Sequence, residues 1–277
     1  MKWVIDTSGR FQFRPFYEAE ELDAECERIT TVFLEDKYGT RRFPISTDDL
    51  TVMVEQDTSD LDLYADLSRE GEDVEGLTDF FTRKKPAVRI SQQLATDPAR
   101  SQRLRTTLAH EYGHVRFHKF LWDTTVPAIS KAGFAQKLSR QRQQFQRFRD
   151  NLASGDSLAG RYPVSYTPSP RLPRKRFQTG PRCHRTFIFD APVFDWMEWQ
   201  ASYACGALLM PAAEVRAALK NYLPIDKSAS ILHIASSESV KLIAHIAGTF
   251  DVSPEAAQIR LARLGIIHPA KSDNSIN

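Results

Sequence analysis

Apolar positions along the chain follow two periods, one helical and one alternating. Phe16, Leu22, Cys26, Ile29, Val32 and Phe33 recur at helical spacing after Pro15, and Gly39 closes the run, which predicts a helix ending near Tyr38. Ahead of it, Lys2-Trp3-Val4-Ile5 and Phe11-Gln12-Phe13 flank Ser8-Gly9, the pattern of a short hairpin or extended arm. A second helix begins at Pro44-Ile45-Ser46, with Ser46 as N-cap and Asp48 and Asp49 complementing the helix dipole. Leu61-Asp62-Leu63-Tyr64-Ala65 alternates as a strand does. Phe80-Phe81 and Ala87–Ser91 are expected as further strands, and Thr96-Asp97-Pro98 opens the next helix with proline near its first turn. A small sheet therefore leads into a helix.

The second half has fewer but longer signals. Asp195–Pro211 is a strongly apolar helical run closed by proline. Ser239–Phe250 and Pro254–Leu264 are amphipathic helices joined by Asp251-Val252-Ser253. The first has Val240, Ile243, Ala244 and Ala247 as its stripe, the second Ala257, Ile259, Leu261 and Leu264. Two helices around a short turn also have the form of a helix-turn-helix DNA reader, but only Arg260 and Arg263 would serve DNA, and packing against the rest of the chain is preferred. Residues 271–277 are expected to be a disordered tail.

Charge changes this picture locally. The net charge of +2 on 277 residues gives no overall field favouring nucleic acid. From Glu55 to Asp79 ten acidic residues face one arginine, Arg69, a composition expected of a solvated face. From Lys131 to Arg185 the sign reverses, with only Asp150 and Asp156 opposing many Lys and Arg. Residues 130–153 look helical and basic, and 160–182 are rich in Pro and Arg, so 121–194 is expected to be a basic insertion offering a docking surface to an acidic partner or nucleic acid. There is no N-terminal apolar h-region and no run of 18 apolar residues, so neither export nor a membrane span is expected. Cys26, Cys183 and Cys205 are few and far apart, which suits a reduced cytoplasm.

The chemistry is concentrated in Leu108-Ala109-His110-Glu111-Tyr112-Gly113-His114-Val115. Residues four apart share one helix face, with Cβ atoms about 5–6 Å apart, close enough for two imidazoles to meet one zinc ion. Glu111, rotated about 100° from His110, lies beside the metal, where it can exchange a proton with an activated water. The competing reading is a buried helix with hydrogen-bonded histidines, but it must bury two imidazoles and a carboxylate together. His118 continues the spacing, yet it lies about 12 Å along the axis from His110 and cannot join the same ion on an unbroken helix. A role supporting the ligands from behind, or in the packing, suits it better. Glu198, between Trp196 and Trp199, is a carboxylate in apolar company; a metal, the helix dipole or an arginine would each satisfy it.

HEYGHVRFH, followed downstream by a glutamate-bearing helix ending in ALLMP, resembles the ImmA/IrrE-type metallopeptidases, over about 87–118 and 195–265. The resemblance implies His110, His114 and Glu198 as ligands of one zinc ion per chain and Glu111 as general base. It implies an α+β fold with a minimal zincin-like core, made of residues 1–120 and the helices of 195–270. It also implies a cytoplasmic zinc endopeptidase cutting a protein partner, a helix-turn-helix repressor or antitoxin. The basic insertion departs from the compact family pattern. A DNA-binding regulator and a metal-dependent module that binds its partner uncut are the alternatives. Tyr203, His118 and Tyr166 are the candidates for stabilising an oxyanion. Cys183-His184, before the expected strand Thr186–Phe189, could cap the metal, although packing is the simpler role.

Overall fold

A computed structural model describes residues 1–11, 13–71, 73–122, 182–184, 195–222, 232–233 and 236–268. By its contacts the chain divides into one unit of Met1–Asp123 with Gln178–Asn277 and another of Thr124–Phe177, and the second lies outside the described residues. So do Tyr166, Thr186–Phe189, most of the basic insertion and the tail. The first unit is a mixed α+β structure.

Strands β1 (Lys2–Ile5) and β2 (Phe13–Phe16) pair antiparallel. Pro15 and Phe16 thus belong to this hairpin and not to the following helix, α1 (Ala19–Tyr38). That helix starts with a capping box between Glu18 and Glu21 and stops at Gly39, whose φ of 70° suits a residue without Cβ. Its buried face is Leu22, Cys26, Ile29, Thr30 and Leu34; Val32, expected inside, is 46% exposed. Helix α2 (Thr47–Asp57) is capped as expected, with Ser46 Oγ accepting from Asp49 N at 3.0 Å.

The main sheet joins β3 (Asp60–Ala65), β4 (Val74–Asp79), β5 (Ala87–Ser91) and β6 (Arg182–His184) in the order β3-β5-β4-β6. β3 and β5 run parallel, and β4 is antiparallel to both β5 and β6. β4 was not foreseen as a strand, because its run Val74-Glu75-Gly76-Leu77-Thr78-Asp79 lacks alternation and sits in the acidic stretch. Phe80 and Phe81 follow its end. Phe80 is buried and stacks on Trp122 at 4.0 Å between ring centroids, while Phe81 is 40% exposed. The acidic stretch is not uniformly solvated either. Glu75 is buried and paired with Arg100 and Arg103, and Asp79 pairs with Arg89 at 3.0 Å.

After α3 (Gln92–Ala95), Asp97 caps a 3₁₀ turn that runs into α4 (Ser101–His118), whose buried face spans almost its whole length. Against it lies α5 (Trp196–Leu209), capped by Asp195. Gly113 makes the close approach: a Cβ there would stand 3.2 Å from Ala201 Cα and 3.3 Å from Ala204 Cβ. The hairpin fixes the start of α5. Arg10 donates to both Asp195 carboxylate oxygens, at 3.0 and 2.7 Å, and Trp196 Nε1 donates to buried Asp6 at 3.2 Å.

Helices α6 (Ala212–Tyr222), α7 (Ser237–Phe250) and α8 (Pro254–Arg263) complete the core, with a two-residue parallel pair of β7 (Leu232–His233) and β8 (Ile267–His268). The stripe of α7 is rotated from expectation. Leu242, Ile243, Ile246, Ala247 and Phe250 are buried, whereas Val240 and Ala244 are exposed. The arginines weighed for DNA are turned into the protein. Arg260 is buried, donates to Met210 O at 2.9 Å and pairs with Asp23, and Arg263 donates to Ser202 O at 2.9 Å. No helix among the described residues is long and apolar enough to cross a membrane.

Asp57 ties α2 to α4, accepting from Tyr112 Oη at 2.9 Å and Arg116 Nη1 at 2.8 Å. Burial raises its carboxyl, but these two donors outweigh that and hold it below the ordinary range. A carboxyl depressed in the folded state stabilises fully above its unfolded value, about 3.9, and ceases to do so as pH falls through the folded one. Asp57→Asn should therefore cost about 1.5–3 kcal/mol at neutral pH. In thermal unfolding followed across pH, the gap to wild type should close below roughly pH 4. A gap independent of pH would exclude this account.

Candidate metal centre

The helical period places His110 and His114 one turn apart on the face of α4 that meets α5, and Glu198 lies in the first turn of α5. The packing at Gly113 brings these faces together. His110 Nε2 is 3.1 Å from His114 Nε2 and 3.1 Å from Glu198 Oε2, and His114 Nε2 is 3.5 Å from Glu198 Oε1. All three residues are buried, and their ligand atoms lie within 4.8 Å of one another. Donors about 2.0–2.1 Å from one zinc ion at tetrahedral angles stand about 3.3–3.4 Å apart, so the spacing fits a shared metal. The buried His110, His114 and Glu198 set could hold a metal ion. Burial opposes the charge on Glu198, but His114 and the contact with His110 prevail and hold its carboxyl well below the ordinary range. It is thus anionic, as a ligand must be.

Glu111 is fully buried beside this set, pointing at the sheet. Thr78 Oγ1 on β4 donates to its Oε2 at 2.5 Å. Gly76, two residues earlier, leaves room for the other oxygen: a Cβ there would come within 2.5 Å of Oε1. Neither residue was foreseen. The available signal was a glycine flanked by apolar and charged residues inside a strand, which marks close approach of another group.

His118 stays on the same unbroken helix and does not belong to the ligand set. Its Nδ1 lies 3.0 Å from His114 Nδ1, and its Nε2 3.0 Å from Gln200 Oε1. Burial, and then neighbouring His114, hold the His118 imidazole well below its ordinary range, so it is neutral. By contrast, His110 Nδ1 is buried and meets no hydrogen-bond partner among the described residues. Gln200 was also missed; a lone amide in an otherwise apolar helical run was its signal.

The expected oxyanion donors fare differently. The hydroxyl of Tyr203 donates to Asp23 of α1 at 3.0 Å. His118 turns its second nitrogen to Gln200. The backbone of Cys183 pairs with Gly76 in the sheet, while its side chain and that of His184 lie outside the described residues. Cys26 and Cys205 are buried thiols, the second pushed up to about 12 chiefly by burial, and neither offers a nucleophile.

The site depends on helix approach as much as on its ligands. Gly113→Val should lower thermal stability by about 1–3 kcal/mol through overpacking. It should also weaken the hold of His110, His114 and Glu198 on a metal ion, read with zinc as the probe in competition with a chromophoric chelator, even though none of the three is changed. Unaltered zinc affinity in a folded Gly113→Val protein would show that the approach of α5 does not set the site. Comparison with protein-family models and with curated proteins returns no match for this chain.

Proposed function

We propose that this protein is a zinc-dependent endopeptidase. One observation carries the reading: two imidazole nitrogens and the two carboxylate oxygens of Glu198 lie 3.1–3.5 Å apart in a buried pocket, with the carboxylate of Glu111, on the helix of the two histidines, next to them. His110 Nε2, His114 Nε2 and a Glu198 oxygen would hold the ion. When bound, zinc is a Lewis acid that polarises a carbonyl and acidifies a water. Glu111 would accept a proton from the attacking water as its oxygen bonds to the carbonyl carbon, and would return that proton to the leaving amine as the C–N bond breaks. Thr78 and the space at Gly76 hold the Glu111 carboxylate against β4 while it does so.

The resemblance of HEYGHVRFH and ALLMP to the ImmA/IrrE-type peptidases supports the same assignment and suggests the substrate, a helix-turn-helix repressor or antitoxin. The basic composition of 131–185 would suit an acidic surface on that partner, with attraction that salt weakens.

Purified protein should bind about one zinc ion per chain and cut such a partner, with cleavage abolished by chelation. His110→Ala or His114→Ala should lose the metal. Glu111→Gln should keep it and cut about 10²–10⁴-fold more slowly. Gly76→Ala should also keep the metal and lose activity, because the new methyl group displaces the Glu111 carboxylate. A zinc-loaded wild-type protein that cuts neither partner nor unstructured peptides would overturn the proposal, and full zinc content in the doubly substituted His110→Ala, His114→Ala protein would overturn the ligand set.

A further inference from the structure

A buried chain of hydrogen bonds leads from the N-terminal hairpin to the metal centre, and its polarity is determined at one end. Gln200 Nε2 donates to Pro15 O at 3.1 Å. A carbonyl can only accept, so the amide nitrogen must face it and the amide oxygen must face His118. That oxygen is 3.0 Å from His118 Nε2, which must therefore carry a hydrogen. Only one hydrogen fits between His118 Nδ1 and His114 Nδ1, 3.0 Å apart, and with His114 Nε2 facing His110 and Glu198 as a ligand that hydrogen belongs to His114, so His118 Nδ1 accepts it. With its hydrogen on Nδ1, His114 presents the Nε2 lone pair to the pocket shared with His110 and Glu198. The reverse polarity would set the bare Nε2 of His118 against the oxygen of Gln200, two acceptors facing in a dry interior.

We propose that Gln200 and His118 are positioning residues that fix the tautomer of His114 as a metal ligand, with the Pro15 carbonyl as the anchor of the relay. This rests on the metal reading above and extends it to groups that touch neither metal nor substrate. The four residues come from β2, α4 and α5, and Gln200, His118 and His114 are buried. Each bond of the relay lies among buried groups, where an unmade hydrogen bond is costly. Partners behind a metal-bound histidine characteristically alter affinity about 10–100-fold when removed.

Two measurements test it. Long-range ¹H–¹⁵N correlation spectra of the zinc-loaded wild-type protein should show His118 neutral with its hydrogen on Nε2, and His114 with its hydrogen on Nδ1. A hydrogen on His118 Nδ1 would overturn the proposal. In the second, zinc affinity is compared among variants of matched length. Gln200→Met removes the acceptor and should weaken zinc binding about 10–100-fold. Gln200→Glu, kept neutral by burial, still accepts from His118 and donates its own proton to Pro15 O, and should stay within a few-fold of wild type. Equal affinities for wild type and a folded Gln200→Met would also overturn it. Should Gln200→Met fail to fold, the spectra of the wild type decide alone. Failure of the metal reading is separately visible, since the wild-type protein would then bind no zinc.

Discussion

The site depends on two helices approaching more closely than side chains of ordinary size permit. Gly113 on α4 faces Ala201 and Ala204 on α5, and no atom larger than hydrogen fits between them without displacement. Glycine inside a helix costs about 0.5–1 kcal/mol relative to alanine, and here the close approach offsets it. Two imidazoles on one helix reach the carboxylate of another only because their backbones nearly touch. The same contact brings His118 alongside Gln200, so ligand set and relay share one mechanical cause.

Around that contact the fold acts as a set of braces. Asp57 secures α2 to α4 through Tyr112 and Arg116. Glu75 secures β4 to the start of α4 through Arg100 and Arg103. Arg10 and Asp6 hold the first turn of α5. Each brace is an ion pair or charge-assisted hydrogen bond in a partly dry setting, where geometry matters more than at the surface. Together they leave the apolar core to supply most of the free energy, while the polar contacts fix how the helices are oriented.

Much of this was legible along the chain because helical spacing is local. His110, Glu111 and His114 declare themselves by period alone, and the caps at Ser46 and Gly39 lie beside the helices they bound. Glu198 was ambiguous from its surroundings, since a dipole, an arginine or a metal would each satisfy a carboxylate there; its partners are 88 and 84 residues away, and only folding selects among them. Thr78 and Gly76 were invisible for a related reason. Their strand has no clean alternation, as it is buried on consecutive positions from Val74 to Thr78. Acidic residues such as Glu75 and Asp57 suggested solvent, because composition cannot reveal which charges find arginines. Val32 and Val240 show the opposite error, apolar residues that fit a stripe yet remain outside.

The latch between Arg10 and Asp195 joins residues 185 positions apart, so the hairpin that supplies it is synthesised well before α5. Until α5 emerges, His110 and His114 form half a site on an unfinished core, with neither the carboxylate nor the Gln200 bridge to His118. Contacts so distant in sequence form late, because loop closure must precede them. If His110, His114 and Glu198 hold a metal ion, that ion binds late in folding, and a chain cut short of α5 has the H-E-x-x-H motif without the complete set. Metal content would then report on the completion of the protein as well as on its chemistry.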